Sequence, residues 1–258
     1  MMIGRYDAAI NGTWLSEIDD RIVVVDVLDD APKNRVVTVE RSGGSGLRYV
    51  RTQRESLTVT IQFVIWEQDV DLRKDLLLRV QRWAADAAGD VARLEINDRR
   101  GQLLYARASE IPSVGSAKWT DSLSMAFTAY EMPYWMDAEY AKTEVTESGM
   151  LFVPGFGLAF CETEATNTGA EPVSSVTLSV GDTSITFEGL SLAAGEKLTI
   201  SYDRYGRMHA LIGETSVLPN RTPASSDDLA VLCGAQNSVA VQSDGSVSVV
   251  FKARGVYV

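Results

Sequence analysis

Residues Ser56–Gly89 read SLTVTIQFVIWEQDVDLRKDLLLRVQRWAADAAG, and two hydrophobic periods meet inside this stretch. In its first half Leu57, Val59, Ile61, Phe63 and Ile65 alternate with Ser56, Thr58, Thr60, Gln62 and Val64. Side chains two apart share one face of an extended chain, so this is a strand with a core face and a half-wetted face. In the second half Leu72, Leu76, Val80, Trp83 and Ala87 recur at the helical period, with Leu77 and Ala84 alongside. That spacing predicts a helix over about 70–88. Asp69 or Asp71 is placed to cap its start and Gly89 to end it. An amphipathic helix must bury its stripe, and the neighbouring sheet is the partner at hand.

Working outward, RIVVVDVL (21–28) reads as a strand, with Val23, Val25 and Val27 toward the core and Ile22, Val24, Asp26 and Leu28 on the other face. RVVTVER (35–41) is a second strand, and SGGSG (42–46) is a loop. VARLEIN and QLLYARASE flank DRRG (98–101), a hairpin signature in which Gly101 is free to take a positive φ. DSLSMAFTAY (121–130) gives a last strand before Pro133, which stops pairing.

Beyond residue 137 no helical stripe appears. Short strand segments follow one another instead: MLFVP, LAFCETEA, VSSVTLSV, TSITFEG, KLTISYD, RMHALI, DLAVLC, SVAVQ and SVSVVFKA. Turn signals such as NTGAEP, AAGE, RYGR and SDGS separate them, the pattern of a sandwich or barrel. Phe152, Phe156, Phe160, Phe187 and Phe251 read as its core. The polar stretch DAEYAKTEVTESG (137–149) marks the boundary. The expectation is therefore a mainly β protein of two domains. Residues 1–137 form a β-sandwich-like domain with one packed helix and a β-hairpin, and residues 138–258 form a β-sandwich.

Composition narrows the function. The chain of 258 residues carries a net charge of −11, split as 17 Lys/Arg against 21 Asp/Glu up to residue 137 and 7 against 14 after it. Coating nucleic acid needs clustered Lys and Arg, so specific nucleic-acid binding is not expected. No apolar run approaches the roughly 20 residues of a membrane span, and MMIGRYDAAING lacks the apolar stretch of a signal peptide. His209 is the only histidine, which removes HExxH and multi-histidine metal sites; in GRMHALIG it reads as a strand residue. Cys161 and Cys233 fit no CxxC or zinc spacing. Two buried free thiols are the simpler reading, and a disulfide is the alternative.

One stretch invites a chemical reading. NGTWLSEIDDRIVVVDVLDDAPK (11–33) holds Glu17, Asp19, Asp20, Asp26, Asp29 and Asp30. It lacks the Asp-x-Asx-x-Asx-Gly spacing of a calcium loop. If 20–29 is extended, Asp20 and Asp29 stand roughly 30 Å apart, too far to share one metal ion or one substrate bond. The carboxylates then belong to strand ends, and Asp26 needs solvent or a partner such as an Arg. GxSxG, GxGxxG opening a helix and the Walker A pattern are all missing. No enzyme, cofactor or metal is expected.

Several stretches, in order, resemble a known family. NGTWLSEIDDRIVVVDV, LRYVRTQRESLTVTIQFVIWE, LRKDLLLRVQRWA and FTAYEMPYW look like the N-terminal domain of distal tail proteins of long, non-contractile-tailed bacteriophages. NTGAEPVSSVTLSV, LTISYD and DDLAVLCGAQNSVAVQSDGSVSVVFKARGVY resemble that family's C-terminal domain. Cys233 departs from it, standing where such proteins commonly have Pro. The resemblance implies a galectin-like C-terminal sandwich and a homo-hexameric ring of N-terminal domains at the virion's tail tip, assembled in the host cytoplasm. It implies as partners the tail tube protein, a tail hub or tail-associated protein, and a receptor-binding or side-fibre protein, with DNA only passing through the ring. Gly43, Gly44 and Gly46 of the glycine loop and Asp98, Arg99 and Arg100 of the hairpin tip are the candidate contacts with the next subunit or the hub. The alternative is a carbohydrate-binding β-sandwich module aiding host attachment, which favours an aromatic platform with converging polar groups.

Overall fold

The computed structural model describes residues 6–30, 33–40, 47–113 and 122–257, with the backbone alone for 33–40 and 47–54. Gly43, Gly44, Gly46 and Trp119 lie outside the described residues. The chain divides into two compact units, the first ending at Trp135 and the second running Met136–Tyr257.

In the first unit the strands are β1 (Ala8–Ile10), β2 (Thr13–Trp14), β3 (Ile22–Asp29), β4 (Lys33–Glu40), β5 (Leu47–Ile65), β6 (Ala92–Ile96), β7 (Gln102–Glu110) and β8 (Leu123–Ala129), and the helix is α1 (Val70–Gly89). The antiparallel sheet runs β2-β1-β6-β7-β8-β5-β3, with β4 paired to β5 alone. The alternation in β5 holds: Leu57, Val59, Ile61, Phe63 and Ile65 are all buried. α1 packs across β1, β5 and β7. Asp69 caps it, its Oδ1 accepting from the backbone N–H of Asp71 at 2.8 Å and of Leu72 at 3.1 Å. Trp83 fixes the helix in place: its indole N–H donates to the Thr13 carbonyl at 2.8 Å, and its ring meets Phe127 edge-on.

Three expectations for this unit are corrected. The core face of β3 is Ile22 and Val24, whereas Val25 is exposed. A bulge lies between Val24 and Asp26, so the register skips a residue there and the pleat changes phase. The helix stripe begins with Arg73, which is buried and donates to the Glu67 carbonyl at 2.8 Å; Leu72 is exposed. Finally, Gly89 stays helical, and the helix stops because Asp90 is extended.

β5 is longer than its apolar alternation. Its 19 residues include Leu57–Ile65 within the sheet and a first half that pairs only with β4, from Lys33↔Ser56 to Glu40↔Leu47. The two strands form an arm reaching roughly 30 Å beyond the sheet.

β9 (Trp135–Asp137) spans the boundary, and the second unit is all β. Its strands are β10 (Ala141–Val145), β11 (Ser148–Phe152), β12 (Gly157–Asn167), β13 (Val173–Val180), β14 (Thr183–Leu192), β15 (Lys197–Tyr202), β16 (Met208–Ile212), β17 (Thr215–Ser216), β18 (Ala230–Cys233), β19 (Gln236–Ser243), β20 (Val247–Ala253) and β21 (Val256–Tyr257). One antiparallel sheet runs β10-β20-β12-β15-β16-β17, with β18 on β12; a second runs β11-β19-β13-β14. Phe187 of the second sheet and Phe251 of the first are fully buried, as a sandwich core requires.

The stretch read as a boundary is structured. Ala141–Val145 pairs with β20 as an edge strand, and Met136–Tyr257 already form one unit. Its alternate residues are exposed Lys142 and Glu144, and Val145 alone is buried, so it lacks the apolar signature of an inner strand.

Three backbone segments cross closely beside β12. Gly234 N–H donates to the Val153 carbonyl and Phe156 N–H to the Val256 carbonyl, both at 2.7 Å. A Cβ on Gly155, whose φ is +98°, would overlap the Val256 carbonyl oxygen. One on Gly234, φ +78°, would stand 2.9 Å from the Gly155 oxygen, and one on Gly255 would lie 2.7 Å from that of Pro154.

Candidate functional site

The acidic stretch resolves into separate structural tasks. Arg21 donates from Nε and Nη2 to the two carboxylate oxygens of Asp19, each at 2.8 Å, and from Nη1 to Glu67 at 2.6 Å. Glu67 in turn accepts from the Asp69 N–H at 3.0 Å, so this cluster ties the start of β3 to the helix cap. The Arg21 hydrogen bonds hold the Asp19 carboxyl down at about 2, and the Asp69 and Leu72 amides respectively lower Glu67 and Asp69. Asp26 turns back on its own chain, its Oδ1 accepting from the Val27 N–H. Among the described residues no group of three His, Cys, Asp or Glu is arranged to hold a metal ion.

At the other end of β3, Asp29 Oδ2 accepts from Arg99 and, at 3.0 Å, from the indole of the buried Trp135. The Arg99 guanidinium also lies over that indole at 5.2 Å. The hairpin tip is therefore divided: Arg99 is engaged with its own unit, while Asp98 and Arg100 are exposed. Gly101 has φ +78°, as the turn requires.

His209 lies on β16 with Nε2 3.3 Å from Asp203, and its ladder partner on β15 is Ser201. Cys161 and Cys233 are buried free thiols, and burial pushes Cys161 up to about 12, far from the reactive thiolate.

What stands open is apolar. Phe152, Phe156, Leu158 and Leu232 are exposed on the second unit, and Trp66, Val70 and Leu72 on the first. Phe152 and Phe156 are thus not core, and Phe160 is half-buried, stacked on Tyr202 with centroids 4.3 Å apart. A sequence gives an outward Phe and an inward Phe the same letter. The partner strands of β11 and β12 set the direction of Phe152 and Phe160, and Phe156 lies in the bend between these two strands. No helix among the described residues is long and apolar enough to cross a membrane.

No family model matches the chain, and no curated protein does. Solved structures do. The Dit (gp 19.1) protein of phage SPP1, described as a paradigm of hub adsorption apparatus in Gram-positive infecting phages, superposes with a TM-score of 0.70 at 11% identity, covering 96% of this chain and 98% of that one. A chain of the phage P2 baseplate in its activated conformation with Ca gives 0.53 at 8% identity over 97% of both chains. The same baseplate with Sr gives 0.52 at 7% identity over 96% and 97%. The chain has the fold of these phage hub and baseplate proteins over 96–97% of its length.

Proposed function

We propose that this chain is a structural subunit of a phage tail tip, building a homo-hexameric ring that joins the tail tube to the tail hub. Its second, galectin-like unit would carry a receptor-binding or side-fibre protein. Fold alone does not assign function, and the observation that carries the reading is the β4–β5 arm. An isolated two-stranded ribbon is marginal in water, and its outer edges are unpaired backbone. An arm of this kind is explained by a surface that it docks against. Its strands hold five basic residues up to Ser56 (Lys33, Arg35, Arg48, Arg51 and Arg54) against Glu40 and Glu55, in a chain of net charge −11. A basic arm meeting the acidic body of the next copy is a head-to-tail contact, and such contacts close into rings. Gly43, Gly44 and Gly46 lie between its two strands in sequence, and exposed Asp98 and Arg100 offer a second contact. A negative ring suits passage of DNA without adhesion.

The test is the mass of the full chain in solution beside a variant in which Asn34–Arg54 is replaced by a short Gly/Ser linker. The full chain is expected as a hexamer and the variant as a folded monomer. A full chain that stays monomeric at high concentration, or a hexamer indifferent to the deletion, would refute the reading.

A further inference from the structure

The ribbon of β12 and β18 is apolar on both faces. Ala159, Val231 and Cys233 face inward and are buried. On the outward row Leu158 precedes Phe160 at spacing two and stands directly opposite Leu232 in the ladder, and Phe156 lies in the bend just before β12. Phe156 is 70% exposed, Leu158 66% and Leu232 51%. A strand apolar on both faces belongs where both are covered, and this unit covers one.

The ribbon cannot simply be extended by another strand. The Asn237 side chain accepts from the Leu232 N–H at 2.8 Å and donates to the Leu232 carbonyl at 3.0 Å, and the Ala230 N–H donates to Thr183. The open feature is the face itself. It ends in acid: two residues before β18 lies half-buried Asp228, which makes no ion pair among the described residues, beside Asp227, whose side chain is fully exposed and reached by Arg221 at 3.2 Å. A sugar would need polar groups converging on the aromatic ring, and here Leu158 and Leu232 occupy those places.

We infer that this face docks a protein segment that is apolar along its length and carries a Lys or Arg at the end meeting Asp228. The three exposed side chains offer on the order of 400 Å² per partner, below the roughly 1,000 Å² in total that a stable interface clears. One such contact is weak alone and gains strength by repetition. The inference thus deepens the ring reading and rests on it for avidity, whereas single-site docking does not need it.

The probes are two labelled ten-residue peptides alternating Leu and Ser, identical except that one ends in two Lys and the other in two Glu, titrated into the full chain by fluorescence anisotropy. The Lys peptide is expected to bind about fivefold more tightly at low salt, a gap that salt closes. Asp228→Asn should shrink the gap, and L158D/L232D should weaken the Lys peptide at least tenfold while melting and solution mass stay unchanged. Equal affinity for the two peptides, or undiminished binding by the double variant, would overturn the inference. So would a neutral oligosaccharide whose binding that variant abolishes. If the double variant fails to fold, the Asp228→Asn result decides. A monomeric wild type that still discriminates the peptides would sink the ring reading and leave this one standing; a hexamer that does not would do the reverse.

Discussion

Gly155 and Gly181 allow steric exclusion to be separated from backbone strain. Both have positive φ, +98° and +53°. Around Gly181 nothing lies within 4 Å of an added Cβ, whereas at Gly155 the Cβ would enter the Val256 carbonyl oxygen. Gly181→Ala therefore carries only the dihedral cost, about 1 kcal/mol. Gly155→Ala adds overpacking against a backbone atom that Phe156 N–H already holds, a further 2–3 kcal/mol or so. For a unit of this size 1 kcal/mol moves the melting temperature by about 4 °C. The expected falls are thus about 4 °C for Gly181→Ala and roughly 12–16 °C for Gly155→Ala. The assay has an internal control, because Trp14, Trp66, Trp83, Trp119 and Trp135 all precede Met136. Tryptophan fluorescence follows the first unit, and far-ultraviolet circular dichroism follows both. Gly155→Ala should lower the dichroism transition of the second unit and leave the fluorescence transition in place. Equal shifts for the two variants would refute the steric argument. A fluorescence transition that moves as far as the dichroism would refute the assignment of the crossing to the second unit alone.

The other predictions concern the helix, the acidic cluster and the thiol. Leu77→Ala, which empties a fully buried site, should cost about 3 kcal/mol, while exposed Leu72→Ala should stay within roughly 0.5 kcal/mol, both read by urea unfolding under tryptophan fluorescence. Asp19, Glu67 and Asp69 have carboxyls held below their ordinary values, so the unfolded chain binds the more protons in acid. The stability they confer is complete above about pH 5, beyond the ordinary carboxylate values of the unfolded chain, and is lost as pH falls toward 2; Arg21→Gln should flatten that part of the fluorescence-detected profile. Native protein treated with iodoacetamide at pH 7.5 should show no modification at Cys161 by peptide mass, and full modification after unfolding.

What was legible in the sequence is what a single chain buries. The alternation of Leu57–Ile65 and the repeat of Leu76, Val80, Trp83 and Ala87 are imprinted by the core of one unit, and the fold follows from them. β3 misled because four consecutive apolar residues, Ile22 to Val25, do not show which parity faces inward; Ile22 and Val24 do, and the bulge between Val24 and Asp26 then shifts the phase so that Val27 stands opposite buried Ile61. β10 was hidden because an edge strand with Lys142 and Glu144 outward has the composition of a linker. Arg73 replaced Leu72 in the stripe because a guanidinium that satisfies the Glu67 carbonyl is tolerated where an aliphatic chain was expected. The surfaces were least legible: Leu158 carries the same chemistry as a core residue, and its outward aim depends on pairing with Leu232, more than seventy residues away.

The glycine crossing also limits which substitutions this chain accepts. Elsewhere a new side chain is accommodated when a neighbouring side chain yields. An added Cβ would meet the Val256 carbonyl oxygen at Gly155, and at Gly255 the Asp137 carboxylate with the Pro154 carbonyl oxygen close behind it. A side chain can swing aside, but a backbone oxygen moves only with its strand. The only residue that fits both positions without a backbone shift is the one that has no Cβ.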